Sequence, residues 1–335
     1  MSQNVCISVD AMGGDHAPEV VLKGVHAALA ADKSISVILC GPAEVVEPFA
    51  AQHERCKAQI ATEVIGMDEH PARAIRKKKD SSIVVGCKMV KEGYAQGFYS
   101  AGSTGACLAG AMFTIGRIKG VARPALCAMI PSPVAPTMLC DVGANAECKP
   151  EFLLQFAQMA SIYTHDVLNI ASPRVGLLNI GSEETKGSTF SQEAYTLLQE
   201  NLPEFKGNAE GCDVLNGNFD IVVSDGFAGN VCLKTIEGTS KVIFKTLKGI
   251  FMQNLLTKLS ALALKSQFKK LVDSISPDTY GGAPLLGIKG ACIVGHGSSN
   301  EVAIKNGILM TARVARANVV GHIEQLINEN KQKSE

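Results

Sequence analysis

Residues 9–18 read VDAMGGDHAP: a short apolar run closes on Asp10, followed by Gly13 and Gly14, then Asp15, His16 and Pro18. Paired glycines let backbone N–H groups come close to an anion, and the start of a following helix adds a partial positive charge. Pro18 suits the first turn of that helix, whose pattern runs through EVVLKGVHAALA. The plainer reading is a tight turn with Asp15 as the helix cap. Neither GxGxxG nor GxxxxGK followed by Ser or Thr is present, so the stretch is not a dinucleotide fingerprint or a P-loop.

Other stretches repeat the theme. GSEETKG (181–187) sets Ser182, two carboxylates and Lys186 between glycines. A lysine in such a loop is ordinarily solvated; beside small hydroxyl residues at a sheet edge it becomes a candidate phosphate clamp. AGSTGA (101–106) offers backbone amides with the hydroxyls of Ser103 and Thr104. SDGFAGN (224–230) and GHGSSN (295–300) add Asp225, Asn230, His296, Ser298 and Asn300. Small residues at strand ends also serve close helix packing, so no one of these loops identifies a site alone.

The elements that must position them alternate. Apolar runs lead into loops of Gly, Ser, Asn and Asp and then into helical patterns, at 36–42, 97–112, 137–147, 174–188, 220–230 and 291–301. Strands alternating with helices predict βαβ units, an α/β fold and a mostly parallel sheet. In such a sheet the strand-to-helix loops lie at the carboxyl edge. We therefore expect six polar loops to converge on one rim.

Composition narrows the function. The 335 residues balance 32 basic against 32 acidic side chains, and Trp is absent. Neither a basic field nor stacking aromatics is available, which argues against nucleic acid as a partner. Eleven cysteines occur singly with no CxxC spacing, as in a reduced cytoplasmic chain without disulfides or a zinc site. Cys107 and Cys140 lie near polar loops but read as buried structural thiols. Asp10, Asp15, Asp141 and Asp225 would hold a cation only if they pointed inward together, so no metal and no cofactor is expected. No signal peptide and no membrane-spanning run is visible.

Taken in order, VDAMGGDHAP, AGSTGA, DVGAN, GSEETKG, SDGFAGN and HGSSN resemble the bacterial phosphate acyltransferases of the PlsX family, from Ile7 to about His322. The resemblance implies a Rossmann-like three-layer α/β/α sandwich, related in fold to phosphotransacetylases and to isocitrate and isopropylmalate dehydrogenases. It implies transfer of a fatty acyl group from acyl carrier protein (acyl-ACP) to inorganic phosphate. The acyl-phosphate product would feed a membrane glycerol-3-phosphate acyltransferase in phospholipid synthesis. It implies a homodimer and one catalytic domain over residues 1–335. Phosphate is largely dianionic at neutral pH, with a second pKa of about 6 as in phosphoesters, so it attacks a thioester without a strong base. The tasks left are holding phosphate and stabilising the oxyanion. Gly13, Gly14, His16, Ser103, Ser182 and Lys186 are the candidates for phosphate, His296 for the oxyanion or leaving thiolate, and Asp225 for orienting a cationic group.

Two stretches concern partners. HPARAIRKKKD (70–80) groups Arg73, Arg76, Lys77, Lys78 and Lys79. A charge run is ordinarily a solvated face, but acidic acyl carrier protein would be steered by a basic patch near the active edge. Residues 246–272 read as an amphipathic helical protrusion, with Leu255, Leu259, Leu262 and Phe268 apolar and Lys258, Lys265, Lys269 and Lys270 cationic. Such a helix ordinarily pairs in a dimer or core. The resemblance adds peripheral contact with an anionic membrane. The alternatives are an acyl-CoA-dependent phosphotransacylase using the same loops, a metal-dependent dehydrogenase of the isopropylmalate type, whose clustered acidic ligands and arginine set are missing, and a non-catalytic phosphate-binding regulator.

Overall fold

The computed structural model describes residues 4–132 and 134–334. The chain begins with β1 (Val5–Asp10), α1 (Glu19–Ala31), β2 (Ile35–Gly41), α2 (Ala43–Ala51) and β3 (Cys56–Ile60). It continues with α3 (Pro71–Lys77), α4 (Ser82–Lys91), β4 (Gly97–Ser100) and α5 (Thr104–Gly110). The middle holds β5 (Ala125–Ile130), β6 (Thr137–Cys140), α6 (Pro150–Leu168), β7 (Val175–Leu178), α7 (Thr189–Asn201), β8 (Phe205–Ala209) and β9 (Ile221–Val223). The last part comprises α8 (Gly226–Phe251), α9 (Leu255–Ala263), α10 (Lys265–Ile275), β10 (Ala283–Leu286), β11 (Ala291–Val294), α11 (Glu301–Arg316) and α12 (Val319–Ser334).

All eleven strands form one sheet in the order β3-β2-β1-β4-β11-β10-β5-β6-β9-β7-β8. Its strands are apolar on both faces because helices cover both, the arrangement a parallel sheet demands. Val5, Ile7 and Val9 of β1 join Val25 of α1, Phe156 of α6 and Ile308 of α11 in one core. Ile38 and Cys40 of β2 and Phe98 of β4 turn the other way, onto Ile83 of α4 and Cys107 of α5. The predicted three layers are therefore present, with the sheet between two helical shells.

The expectation of a single rim is corrected by strand sense. β10 runs antiparallel to both β11 and β5, and β5 antiparallel to β6. Beyond that hairpin, β6, β9, β7 and β8 are parallel to one another and opposed to β1, β2, β4 and β11. The loops after β1, β2, β4 and β11 thus leave one edge of the ladder, and those after β6, β7 and β9 leave the other. Seven strand steps separate β1 from β7. Ordinary twist of about 20–25° per step accumulates to roughly 150° over them. Nominally opposed strands at the two ends of such a sheet point their carboxyl ends in similar directions.

Exposure of α8 begins earlier than residue 246. Gly226 and Gly229 of α8 are buried, and Cys232, Leu233 and Ile236 pack on the core, but past Ile236 no residue of α8 is buried. No residue of α9 is buried either. Asn254 caps α9 in a capping box with Thr257. Leu255 and Leu256 are each 76% exposed, and Leu259 and Leu262 stand out beside them. Phe268 is half-buried and meets Phe251 edge-on, ring centres 5.0 Å apart, which ties α10 to the end of α8. Among the described residues no helix is long and apolar enough to cross a membrane.

Candidate active site

At the first edge, β1 and β4 lie side by side and end on Asp10 and Ser100, both wholly inside the protein. Ser100 Oγ donates to Asp10 Oδ2 at 2.6 Å, and the Met12 N–H donates to Asp10 Oδ1 at 3.0 Å. Gly102 N–H in turn donates to Ser100 Oγ at 3.0 Å. Burial pushes the Asp10 carboxyl above the usual carboxylate range, opposed by the hydrogen bonds from Ser100, Ser82 and Met12. The sequence reading missed this pair, because burial of an aspartate at a strand end leaves no mark on residue spacing.

Gly13 backs directly onto the pair. A Cβ there would sit 2.7 Å from both Asp10 Oδ2 and the Gly102 nitrogen. Gly14 follows at φ +110°, a conformation that favours glycine. The third loop closes against the first through Asp15 N–H to the Gly297 carbonyl, 2.8 Å, and it meets the second through Gly295 N–H to the Ser100 carbonyl, also 2.8 Å. Asp15 is therefore not a helix cap, and Pro18, expected in the first turn of α1, occupies its cap position. Gly13, Gly14, His16, Ala101, Gly297 and Ser299 lie against one another where the three loops meet.

The hydrogen-bond pattern sorts the amides at this edge. Met12 and Gly102 spend theirs on Asp10 and Ser100. Among the described residues, the N–H groups of Gly13, Gly14 and Ser103 have no partner within the protein, nor does the Ser103 hydroxyl cap α5. His16 is exposed next to them. His296 is exposed as well, its Nδ1 accepting the Ser298 N–H at 3.2 Å and lying 2.8 Å from Ser298 Oγ. That acceptance leaves the ring proton on Nε2, a donor.

The second edge gathers Asp141, Asp225, Ser182 and Lys186. Asp141 is wholly buried and accepts from the backbone N–H groups of Leu126, Ala144 and Asn145 at 2.9, 3.1 and 2.7 Å. Burial raises its pKa, opposed by those bonds and by the Asn145 side chain. Asn145 passes the constraint on, its carbonyl accepting from Gly226 N–H at the foot of α8. Asp225 caps α8, Oδ1 accepting from Ala228 N–H at 2.8 Å, where the sequence reading gave it a cation to orient. Asp10 and Asp141 are each satisfied by hydrogen bonds on their own edge.

Ser182 and Lys186 are exposed on the loop after β7. Asn208 Nδ2 holds that loop through the Glu183 carbonyl at 2.8 Å, and Asn179 Nδ2 through the Lys186 carbonyl at 3.1 Å. The Lys186 ammonium lies 3.7 Å from Glu183, a loose surface pair. The structure thus brings Gly13, Gly14, His16, Ser103 and His296 to one edge and places the loops of Ser182 and Lys186 and of Asp225 on the other.

The basic segment borders the first edge. Pro71, at the start of α3, abuts Gly105 in α5, where a Cβ would meet its ring at 2.5 Å. Arg73, Arg76 and Lys77 are exposed, with Arg76 over the Phe113 ring at 5.6 Å. Lys78 is engaged, donating to Glu69 at 2.6 Å and to the Val64 carbonyl at 2.7 Å.

The fatty acid synthesis protein family matches residues 5–322. A phosphate acyltransferase of Halothermothrix orenii is 46% identical over 330 residues, covering 97% of this chain and 99% of its own. A second, from Desulfitobacterium hafniense strain DCB-2, is 48% identical over 328 residues, covering 96% and 97%. The chain belongs to the phosphate acyltransferase (PlsX) family. Members of this family are acyltransferases of lipid biosynthesis, and the chain is one. Its fold is shared with the EutD phosphotransacetylase from Staphylococcus aureus, at a TM-score of 0.59, 18% identity and coverage of 93% and 94%. A phosphotransacetylase from Streptococcus pyogenes superposes comparably, with a TM-score of 0.58 at 16% identity and the same coverage. For a phosphate acyltransferase, unspent amides and hydroxyls at strand ends are the groups that an oxyanion substrate requires.

Proposed function

We propose that this phosphate acyltransferase moves the acyl group of acyl-ACP onto inorganic phosphate, giving acyl-phosphate and free acyl carrier protein for phosphatidic acid synthesis. The observation that carries the reading is the set of unspent N–H groups of Gly13, Gly14 and Ser103 beside two exposed histidines. Phosphate oxygens take those amides, the Ser103 hydroxyl and the His16 ring. Lys186 and Ser182 reach the same anion from the loop after β7.

A phosphate oxygen attacks the thioester carbon, forming the new C–O bond as the carbonyl becomes an oxyanion. His296 Nε2–H donates to that oxyanion. Collapse breaks the C–S bond, and the thiolate, conjugate base of a thiol with a pKa of about 8.5, leaves without a strong acid. Asp225, by capping α8, fixes the loop after β9, on the same edge as Lys186. No cofactor or metal enters any step.

Arg73, Arg76 and Lys77 form the surface that steers acidic acyl carrier protein toward the first edge, Lys78 bracing them through Glu69. The exposed leucines 255, 259 and 262 rest on an anionic bilayer near the acyltransferase that consumes the product. Apolar positions on α8 left uncovered, such as Val242 and Ile243, pair two copies into a homodimer.

The test is release of free thiol from purified acyl-ACP with and without phosphate, with acyl-CoA alongside. Release from acyl-ACP only in the presence of phosphate supports the reading. Release from acyl-CoA alone moves the activity to a phosphotransacylase, and phosphate binding without release from either makes the chain a phosphate sensor.

A further inference from the structure

The amides proposed to take phosphate are held by two residues that do not touch it. The geometry points to Asp10 and Ser100 as the positioning pair of the phosphate cradle, a role that rests on the phosphate site read above. Ser100 Oγ is at once donor to Asp10 Oδ2 at 2.6 Å and acceptor from Gly102 N–H at 3.0 Å. Asp10 Oδ1 takes the Met12 N–H at 3.0 Å. One carboxyl thereby fixes both loops at residues 12 and 102, and in each the next N–H groups, Gly13 and Gly14 in one and Ser103 in the other, are left without a partner among the described residues.

Three further observations single this pair out from ordinary loop bonding. Both side chains are inaccessible, Asp10 at 2% and Ser100 at 0% exposure, so neither contacts solvent or substrate. Gly13 fills the remaining space, with no room for a Cβ between Asp10 Oδ2, the Gly102 nitrogen and Ser100 Oγ. A buried carboxyl is costly to keep and here is satisfied by bonds to the loops it holds. The pair fixes the spacing between two sets of donors, which is what recognition of a tetrahedral anion demands.

Asp10→Asn keeps the shape but leaves one acceptor for two donors, so either the Ser100 hydroxyl or the Met12 N–H meets the amide NH2 and one of the two loops loses its hold. Ser100→Ala removes the bridge outright. With the purified full chain and acyl-ACP as substrate, both variants are expected to raise the KM for inorganic phosphate roughly tenfold, the loss typical of one misdirected charge-assisted hydrogen bond. The KM for acyl-ACP and kcat at saturating phosphate should stay within about threefold of the parent. A general loosening would instead move the acyl-ACP KM or kcat.

Ser103→Ala separates the pair from the site beneath it. If Ser103→Ala raises the phosphate KM while Asp10→Asn and Ser100→Ala, shown to be folded by their melting transitions, leave it unchanged, the pair has no positioning role and the proposal falls. Should all three leave it unchanged, the phosphate site itself is misplaced. Hydrogen exchange on the parent protein serves where a variant fails to fold. Inorganic phosphate should slow exchange in both 10–18 and 97–106, and protection of one loop without the other overturns the pairing.

Discussion

Lys186 is the residue on which the function reading leans across the sheet. Its side chain is 47% exposed and its ion pair with Glu183 is loose, so Lys186→Ala should shift stability by less than about 1 kcal/mol. If it clamps phosphate, the same change raises the phosphate KM at least tenfold, read from initial rates at varied phosphate. Gly13→Ala behaves in the opposite manner. Its Cβ would press a backbone nitrogen and a buried carboxylate, so both melting temperature and activity should fall, by calorimetry and thiol release. Polar residues at strand ends point to a candidate site from their types alone; Gly13, Gly14, His16 and Ser103 share one edge, while Ser182 and Lys186 lie on the other. Asp10 and Ser100 were not legible in that way, because a buried carboxyl that organises a loop has the same spelling as an exposed one that ends a strand.

Elements carry the next set of consequences. Asp32 ends α1 and accepts from Ser34 and from Arg316 at the end of α11. Burial raises its pKa, yet the hydrogen bonds from Ser34 and Arg316 outweigh that and bring it to about 2. The folded value lies below the unfolded one, so this stabilisation is present above about pH 4 and is lost as pH falls toward 2. Asp32→Asn should therefore cost about 1–2 kcal/mol at pH 7 in urea unfolding, with the difference vanishing near pH 2. On the protrusion, Leu255→Gln combined with Leu256→Gln should leave the melting temperature unchanged, since both side chains are already exposed. Sedimentation with phosphatidylglycerol vesicles should drop several-fold; unchanged sedimentation would remove these leucines from any membrane contact. Strand and helix alternation predicted most elements, but not the sense of β5 and β6. The signal was present: ALCAMI and TMLC are separated by six residues, too few for a parallel crossover.

At the scale of the whole molecule, one core runs from Val5 to Ile327 and includes strands on both sides of the reversing hairpin. Leu39, with no exposed surface, stands in it, and Leu39→Ala should lower stability by about 2–5 kcal/mol. Because that core is shared, the loss should appear as a shift of one transition by calorimetry, rather than as a second, separate transition. The layered class was readable from composition and alternation; the two-edged arrangement was not, since it depends on pairing between segments far apart in sequence. The longest helix adds a mechanical consequence. At 1.5 Å per residue, the 26 residues of α8 make a rod of about 39 Å. Its foot is locked at the second rim by Asn145 and Asp225, while its far end leaves the body. The core holds α8 as far as Ile236, so a tilt of about 5° there sweeps the tip, about 22 Å beyond, through about 2 Å. Run in reverse, the lever divides: a several-ångström displacement of the protruding helices arrives at the rim as a shift of tenths of an ångström, so the exposed end can yield to whatever it rests on while the loops at the foot keep their spacing.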